Sequence, residues 1–355
     1  MRSLFDFCGC VIGGCATPPS WPLDRAGGLA ACAHFGDQDD LHLGSGAHPG
    51  GVVWSAVCAC TGDASVADAF AAAAFGYELT IRLAEGLAPE RQRWHVTPVA
   101  GVVGAAGAAA RLLDADQADA VAHAVSIAGG SSHALVERTG TRFLHRAHAA
   151  TSGVACARAS AVLPASRLGL ESGRGAFAEA DAGVMLAPRA STCLEETGFR
   201  LHPATGFAQA AIEAAATLAP LRPHEVEHVT ATVSPPAAIA LASNPEPSGR
   251  EEEWWSIEHA VGVALVGGLE LPEVAGLRSR VELVPGDAGW GARVEVSLRD
   301  GTVRSAAVDG PRPASDDDLR KKWLRLTGED GAAFFDRLLA ADDGELFAPL
   351  VALLP

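Results

Sequence analysis

The stretch Trp94-His-Val-Thr-Pro-Val-Ala-Gly-Val-Val-Gly-Ala-Ala-Gly-Ala-Ala109 decides how the chain folds. Proline suits the first turn of a helix, where its missing N–H would find no partner anyway, so Thr97-Pro98 marks a start and predicts a helix over Val99–Leu113. Gly101, Gly104 and Gly107 recur three apart along it. Small residues at that spacing let a neighbouring backbone or a ligand come close, although glycine costs helix stability relative to alanine. A dinucleotide fingerprint is excluded, because the glycines lie inside the helix and no strand precedes them. Helix packing is the expected use. Outward from this run, Val66–Leu87, Ala115–Ala128 and Leu144–Leu163 read as further Ala-rich helices, with Asp114 and Asp116 as capping residues before the second.

After Gly198 the pattern changes. A helix over Phe207–Leu218 is followed by Val226–Val233, whose apolar positions alternate as in a half-buried strand, and a short helix is expected near Trp255–Gly267. Arg293–Arg304 places Asp300-Gly301 between two alternating runs, a hairpin signal. From Ala314 onward, Asp316–Asp318 cap a helix that is expected to pack back on the helical part. The fold class expected is therefore mainly α with a smaller α+β domain: a helical domain from residues 1–197 and 313–355, and an α+β domain from 198–312.

At 355 residues the chain suits two domains, and with 48% hydrophobic and 20% charged residues it has the apolar surface for a sizeable core. The formal net charge is −16, and the only lysines are Lys321 and Lys322. Nothing supplies the basic face that duplex binding needs, so no nucleic-acid partner is expected. An anionic substrate would require the few Arg and His residues to converge. No run reaches the roughly 20 apolar residues of a membrane span, and the acid in the first apolar stretch, Asp6, argues against a signal peptide. A cytoplasmic location without membrane contact is the expectation. None of the eight cysteines forms a C-x-x-C pair, so buried reduced thiols are expected and an iron–sulfur dehydratase is disfavoured.

Gly76-Tyr-Glu78 and the Trp94–Ala109 run resemble segments of the MmgE/PrpD family, which includes 2-methylcitrate dehydratase, cis-aconitate decarboxylase and iminodisuccinate epimerase. The likeness continues, in the family's order, through Ser126–Gly130, Leu144–Ala150, Gly173–Phe177, Trp255–Gly267 and Leu319–Leu326. It implies an all-helical domain with an α/β lid, a homodimer, a small carboxylated substrate, and no cofactor or metal. The stretch between Thr17 and Ala26 is compressed relative to the family and the C-terminus is short. By the same matching, Asp37 and His48 fall on the family's Asp and His-Pro positions, His95 on the active-site His after the Trp, and Arg142 where a Lys or Arg binds carboxylate. His202 falls in the His-containing segment at the start of the lid. Leu41 stands where the family has Thr, and His259 where Tyr is common.

Taking a proton from carbon next to a carboxylate requires a base with a near-neutral pKa and cations that hold the enolate-like charge. His95 lies just before a helix N-terminus, which favours anions, and Thr97 joins it there as a substrate contact. Arg142 follows a loop that enters a helix and could grip a carboxylate with two hydrogen bonds. His95, His48, Asp37 and His202 are thus the catalytic candidates, and Arg142, His259 and Thr97 the substrate-binding ones. Against these stand plainer roles: Asp37, Asp39 and Asp40 could form a solvated loop, His95 a cap, and His259 ordinary helix structure. His145 and His148 have helical i, i+3 spacing but no evident carboxylate partner for a metal site. The activity expected is a cofactor-independent lyase, with an isomerase, epimerase or cyclase, or an inactive binding protein on the same fold, as alternatives.

Overall fold

The computed structural model describes residues 1–15, 23–87, 93–137, 139–165, 177, 180–268, 274–287 and 289–354. The compressed stretch after Thr17 up to Pro22, and Gly173–Ala176 of the family-like segments, lie outside the described residues. The chain divides into two compact units, Met1–Phe199 with Ala314–Pro355, and Arg200–Pro313. The fold is mainly helical, with one small mixed sheet.

In the first unit the helices are α1 (Arg2–Cys15), α2 (Arg25–Phe35), α3 (Pro49–Ala59), α4 (Val66–Gly86), α5 (Val96–Leu112), α6 (Gln117–Ile127), the short α7 (His133–Val136) and α8 (Thr141–Ala159). Helix α5 is the centre, packed against α3, α4, α6 and α8, and every residue from Val96 to Ala110 is buried. Glycine makes this possible. A Cβ on Gly104 would stand 2.5 Å from the Gly76 carbonyl oxygen of α4, and one on Gly153 of α8 would stand 2.5 Å from the Ala105 Cβ. Both are closer than carbon atoms approach, so α4 and α8 touch α5 only because no side chain intervenes. The helix begins at Val96, earlier than the expected Val99, and Pro98 sits in its first turn, where the N–H groups have no helical partner in any case.

The Asp316–Thr327 helix belongs to the same unit and lies against α1. Gly9 and Gly13 face Trp323 and Leu326, and buried Lys322 donates to Asp6 Oδ1 at 2.5 Å and to the Gln38 carbonyl at 2.5 Å. One expectation fails here. Cys15 and Cys32 form a disulfide rather than two reduced thiols, because Gly14 lets the end of α1 reach the α2 backbone at Cys32. Cys8, Cys58, Cys60, Cys156 and Cys193 are free and buried, and Cys10 is buried as well.

The second unit is built on strands β1 (Val226–Val233), β2 (Val281–Pro285), β3 (Ala292–Leu298) and β4 (Val303–Val308) in the order β2-β1-β3-β4. β1 runs parallel to β2 and antiparallel to β3, with Val229 opposite both Val281 and Val296. β3 and β4 form the hairpin expected at Asp300-Gly301, where Gly301 takes φ +86°, a conformation that costs glycine little. Val229, Ala231 and Val233 alternate into a core that the Gln209–Leu218 and Ile257–Leu265 helices complete. No described helix of the chain is long and apolar enough to cross a membrane.

Candidate active site

The segment that follows α2 turns sharply at Asp37, a non-glycine residue at φ +51°. The solvated loop weighed for Asp37, Asp39 and Asp40 is not what forms: Asp37 is 3%, Asp39 2% and Asp40 3% exposed. Burial of so many carboxylates needs compensating donors, and the fold supplies them. From behind, Lys322 holds the Gln38 carbonyl, and Arg325 donates to Gln38 Oε1 at 2.7 Å. Asp40 accepts the Gly50 N–H at 3.0 Å and the Tyr77 hydroxyl at 2.7 Å.

Asp39 is the hub of the front side. Its Oδ1 lies 2.9 Å from His34 Nδ1, and its Oδ2 lies 3.4 Å from Arg146 Nη1 and 3.8 Å from His48 Nδ1. His48 is fixed at three points: its ring Nδ1 bonds the Asp40 carbonyl at 2.5 Å, its N–H donates to Thr97 Oγ1 at 3.1 Å, and its carbonyl accepts from Arg146 Nη1 at 3.3 Å. Thr97 therefore ties the start of α5 to the start of α3. His95 occupies the N-cap position of α5 without making a side-chain cap bond; its backbone N–H donates to the Gly130 carbonyl and its Nδ1 stands 3.1 Å from His145 Nδ1. Arg142 and Arg146, one turn apart on α8, are each 1% exposed, and the Arg142 guanidinium lies 4.8 Å from the Phe143 ring, which packs 5.5 Å from the His34 ring.

The first unit thus brings together Asp37, His48, His95 and Thr97, with Arg142 reached through Phe143. His202 and His259 belong to the second unit. The Gln209 side chain secures the His202 backbone at its N–H and carbonyl, while the His259 N–H caps onto Ser256 Oγ and its ring contacts Arg278 Nη2. Sequence reasoning gave no site role to His34, Asp39, His145 and Arg146. The signal was present for two of them: Arg142, His145 and Arg146 stand at i, i+3 and i+4, one face of a helix.

Burial first, and the Arg146 charge second, hold the His95 imidazole well below the usual histidine range. The same two causes, in the same order, lower His34 and His145. At neutral pH these rings are unprotonated and present a lone pair, each a weaker base than a free imidazole, while the guanidiniums keep a fixed positive charge. Asp40 moves the other way. Burial, then repulsion from Asp6, lifts its carboxyl to about 7, with the Tyr77 and Gly50 hydrogen bonds opposing.

This has a consequence for stability. The unfolded carboxyl ionises near its ordinary 3.8, whereas the folded one keeps its proton to about 7. The folded state binds the extra proton between these values, so this group's contribution falls as pH rises through that window. Asp40→Asn, which cannot ionise, is expected to flatten the decline. Urea unfolding at pH 5 and pH 8 measures it, and an unchanged difference between the two would contradict the assignment.

His34, Asp37 and Asp39 offer ligand atoms within 4.8 Å of one another, a set that could hold a cation. The Arg146 guanidinium already stands against Asp39, however, and supplies the countercharge. A separate cavity of about 650 Å³ is lined by Glu85, Asp181, Glu196 and Arg189, with no member of the His cluster. Among the described lining residues three carboxylates face one guanidinium, which does not suit an anion.

Comparison with known proteins gives one family, described as the MmgE/PrpD N-terminal domain, which matches residues 22–178. No curated protein matches the chain.

Proposed function

The helical unit matches the MmgE/PrpD N-terminal domain over residues 22–178, and on that premise we propose that the chain belongs to this family and is a lyase of small di- or tricarboxylic acids working by histidine acid–base chemistry. Family membership points to dehydratase or lyase chemistry in general. The finer assignment is carried by one observation: a buried, neutral His95 stands in the field of a fixed Arg146 cation, beside a second ring, His48, held by Asp39 and Asp40.

In the proposed reaction His95 takes the proton from the carbon next to a carboxylate. The electron pair left on that carbon is delocalised into the carboxylate, whose added charge Arg142 and Arg146 stabilise. His48 gives a proton to the departing hydroxyl group, which leaves as water with its bonding pair, and a carbon–carbon double bond forms. Asp37 orients the rings or relays protons, and Thr97 keeps His48 in register. The chemistry is assigned to groups of the first unit alone.

The second reading is an isomerase, epimerase or cyclase, in which the proton is returned to carbon and nothing leaves. Leu41 favours it, since a buried apolar side chain stands where the family places a hydroxyl. Proton NMR of citrate-like and unsaturated acids in deuterium oxide separates the possibilities. A vinylic resonance growing as a C–H signal disappears supports the lyase, and deuterium uptake without elimination supports the isomerase. Saturable binding with neither change would leave a binding protein and sink both enzymatic readings.

A further inference from the structure

We propose that His145 is a positioning residue that fixes the tautomer of His95 and passes its surplus proton to solvent. The inference rests on the preceding reading for what His95 does, but the contact between the rings stands apart from it. Two imidazole Nδ1 atoms 3.1 Å apart form a hydrogen bond only when one carries a hydrogen and the other presents a lone pair. The rings must therefore be complementary. If His95 donates, its Nε2 is bare and acts as a base; if His145 donates, the neutral His95 carries its hydrogen on Nε2 and acts as an acid.

Proton flow links the two arrangements. When His95 Nε2 receives a proton from carbon, its Nδ1 proton can cross to His145 Nδ1, and His145, for a moment an imidazolium, releases its Nε2 proton to water. His95 is then neutral with the new proton on Nε2, His145 is neutral with a hydrogen on Nδ1, and one proton has left for solvent. The arrangement of exposure suits this direction. His95 is 3% exposed, whereas His145 is only partly buried.

The pair is held from outside by Gly130. Its carbonyl accepts the His95 N–H, and a Cβ there would lie 3.2 Å from Pro98 Cγ and 3.6 Å from His145 Nδ1, on a backbone at φ +132° that side chains rarely adopt. The charged and titratable groups that act on the two rings are Arg146, His34, His48 and His148, and both rings sit below the usual histidine range.

The test is NMR of the full chain labelled with ¹⁵N-histidine at pH 7, where two-bond couplings identify the protonated nitrogen of each neutral ring. Opposite states at Nδ1 of His95 and His145 are expected, with His95 becoming a tautomer mixture in His145→Phe and returning to one form in His145→Asn, whose amide can replace the lost Nδ1 partner. Two bare Nδ1 atoms, or an unaltered His95 spectrum in His145→Phe, would overturn the inference whatever the protein's activity. With a substrate from the acid panel, His145→Asn should lower kcat about tenfold or more with little change in KM, since the relay is lost while positioning is kept. Unchanged kcat in that variant would remove the relay. Complementary tautomers together with an inert acid panel would instead refute the lyase assignment and leave the ring pairing standing.

Discussion

His95→Gln is expected to lower kcat on the substrate acid by about 10²- to 10⁴-fold, the usual contribution of a positioned acid–base group. Glutamine keeps much of the volume and polarity of the ring but cannot take up a proton at neutral pH, so lost packing is kept small. The size of the effect follows from the surroundings. A solvent-exposed histidine could be replaced in part by water, whereas His95 is buried against α5 and His145, where water has little access. Circular dichroism and the urea midpoint should stay close to wild type. A variant that is folded and turns over at the wild-type rate would remove His95 from the mechanism.

Arg146→Met should give the largest loss of stability. The guanidinium faces the Asp39 carboxylate with both side chains 2% exposed, and removing one partner of a buried pair typically costs about 3–5 kcal/mol because the remaining charge stays desolvated. The loss should not stop there, since the same guanidinium bonds the His48 carbonyl. A second signature distinguishes this from simple loss of packing. Arg146 is the second cause, after burial, of the lowered pKa of His34 and of His95, so both rings should titrate at higher pH in the variant. The double variant Arg146→Met/Asp39→Asn removes the stranded charge and should recover a large part of the stability. Urea unfolding of the single and double variants measures this, and a loss below about 1 kcal/mol in the single variant would show that Arg146 and Asp39 are not coupled as described.

Much of the scaffold can be read along the chain because it rests on local rules. Asp116 caps α6 as its position suggests, Asp300-Gly301 turns the hairpin, and Gly104 and Gly107 of α5 mark where α4 approaches. What escapes such reading depends on tertiary partners. Three acids in four residues look like a hydrated loop until Lys322, Arg325, Tyr77 and Arg146 arrive from elsewhere to surround them. Cys15 and Cys32 carry no motif, since their meeting depends on Gly14 letting two helices touch. Arg146 was overlooked beside Arg142 because resemblance singles out one matched position at a time, whereas helix geometry presents both on one face. His48, His95, Thr97 and Asp37 come together in the first unit.

The grip of Lys322 on Asp6 and on the Gln38 carbonyl also bears on the order in which the molecule can be made. A chain leaving the ribosome presents the aspartate-bearing turn early and its lysine anchor only after the whole of Arg200–Pro313 has emerged. The inserted unit is continuous in sequence and can close on itself while synthesis proceeds, as domains commonly do. The His and Arg cluster cannot be completed in that way. Its loop waits for a helix some three hundred residues downstream, a closure of high contact order that makes it one of the last parts of the chain to be secured.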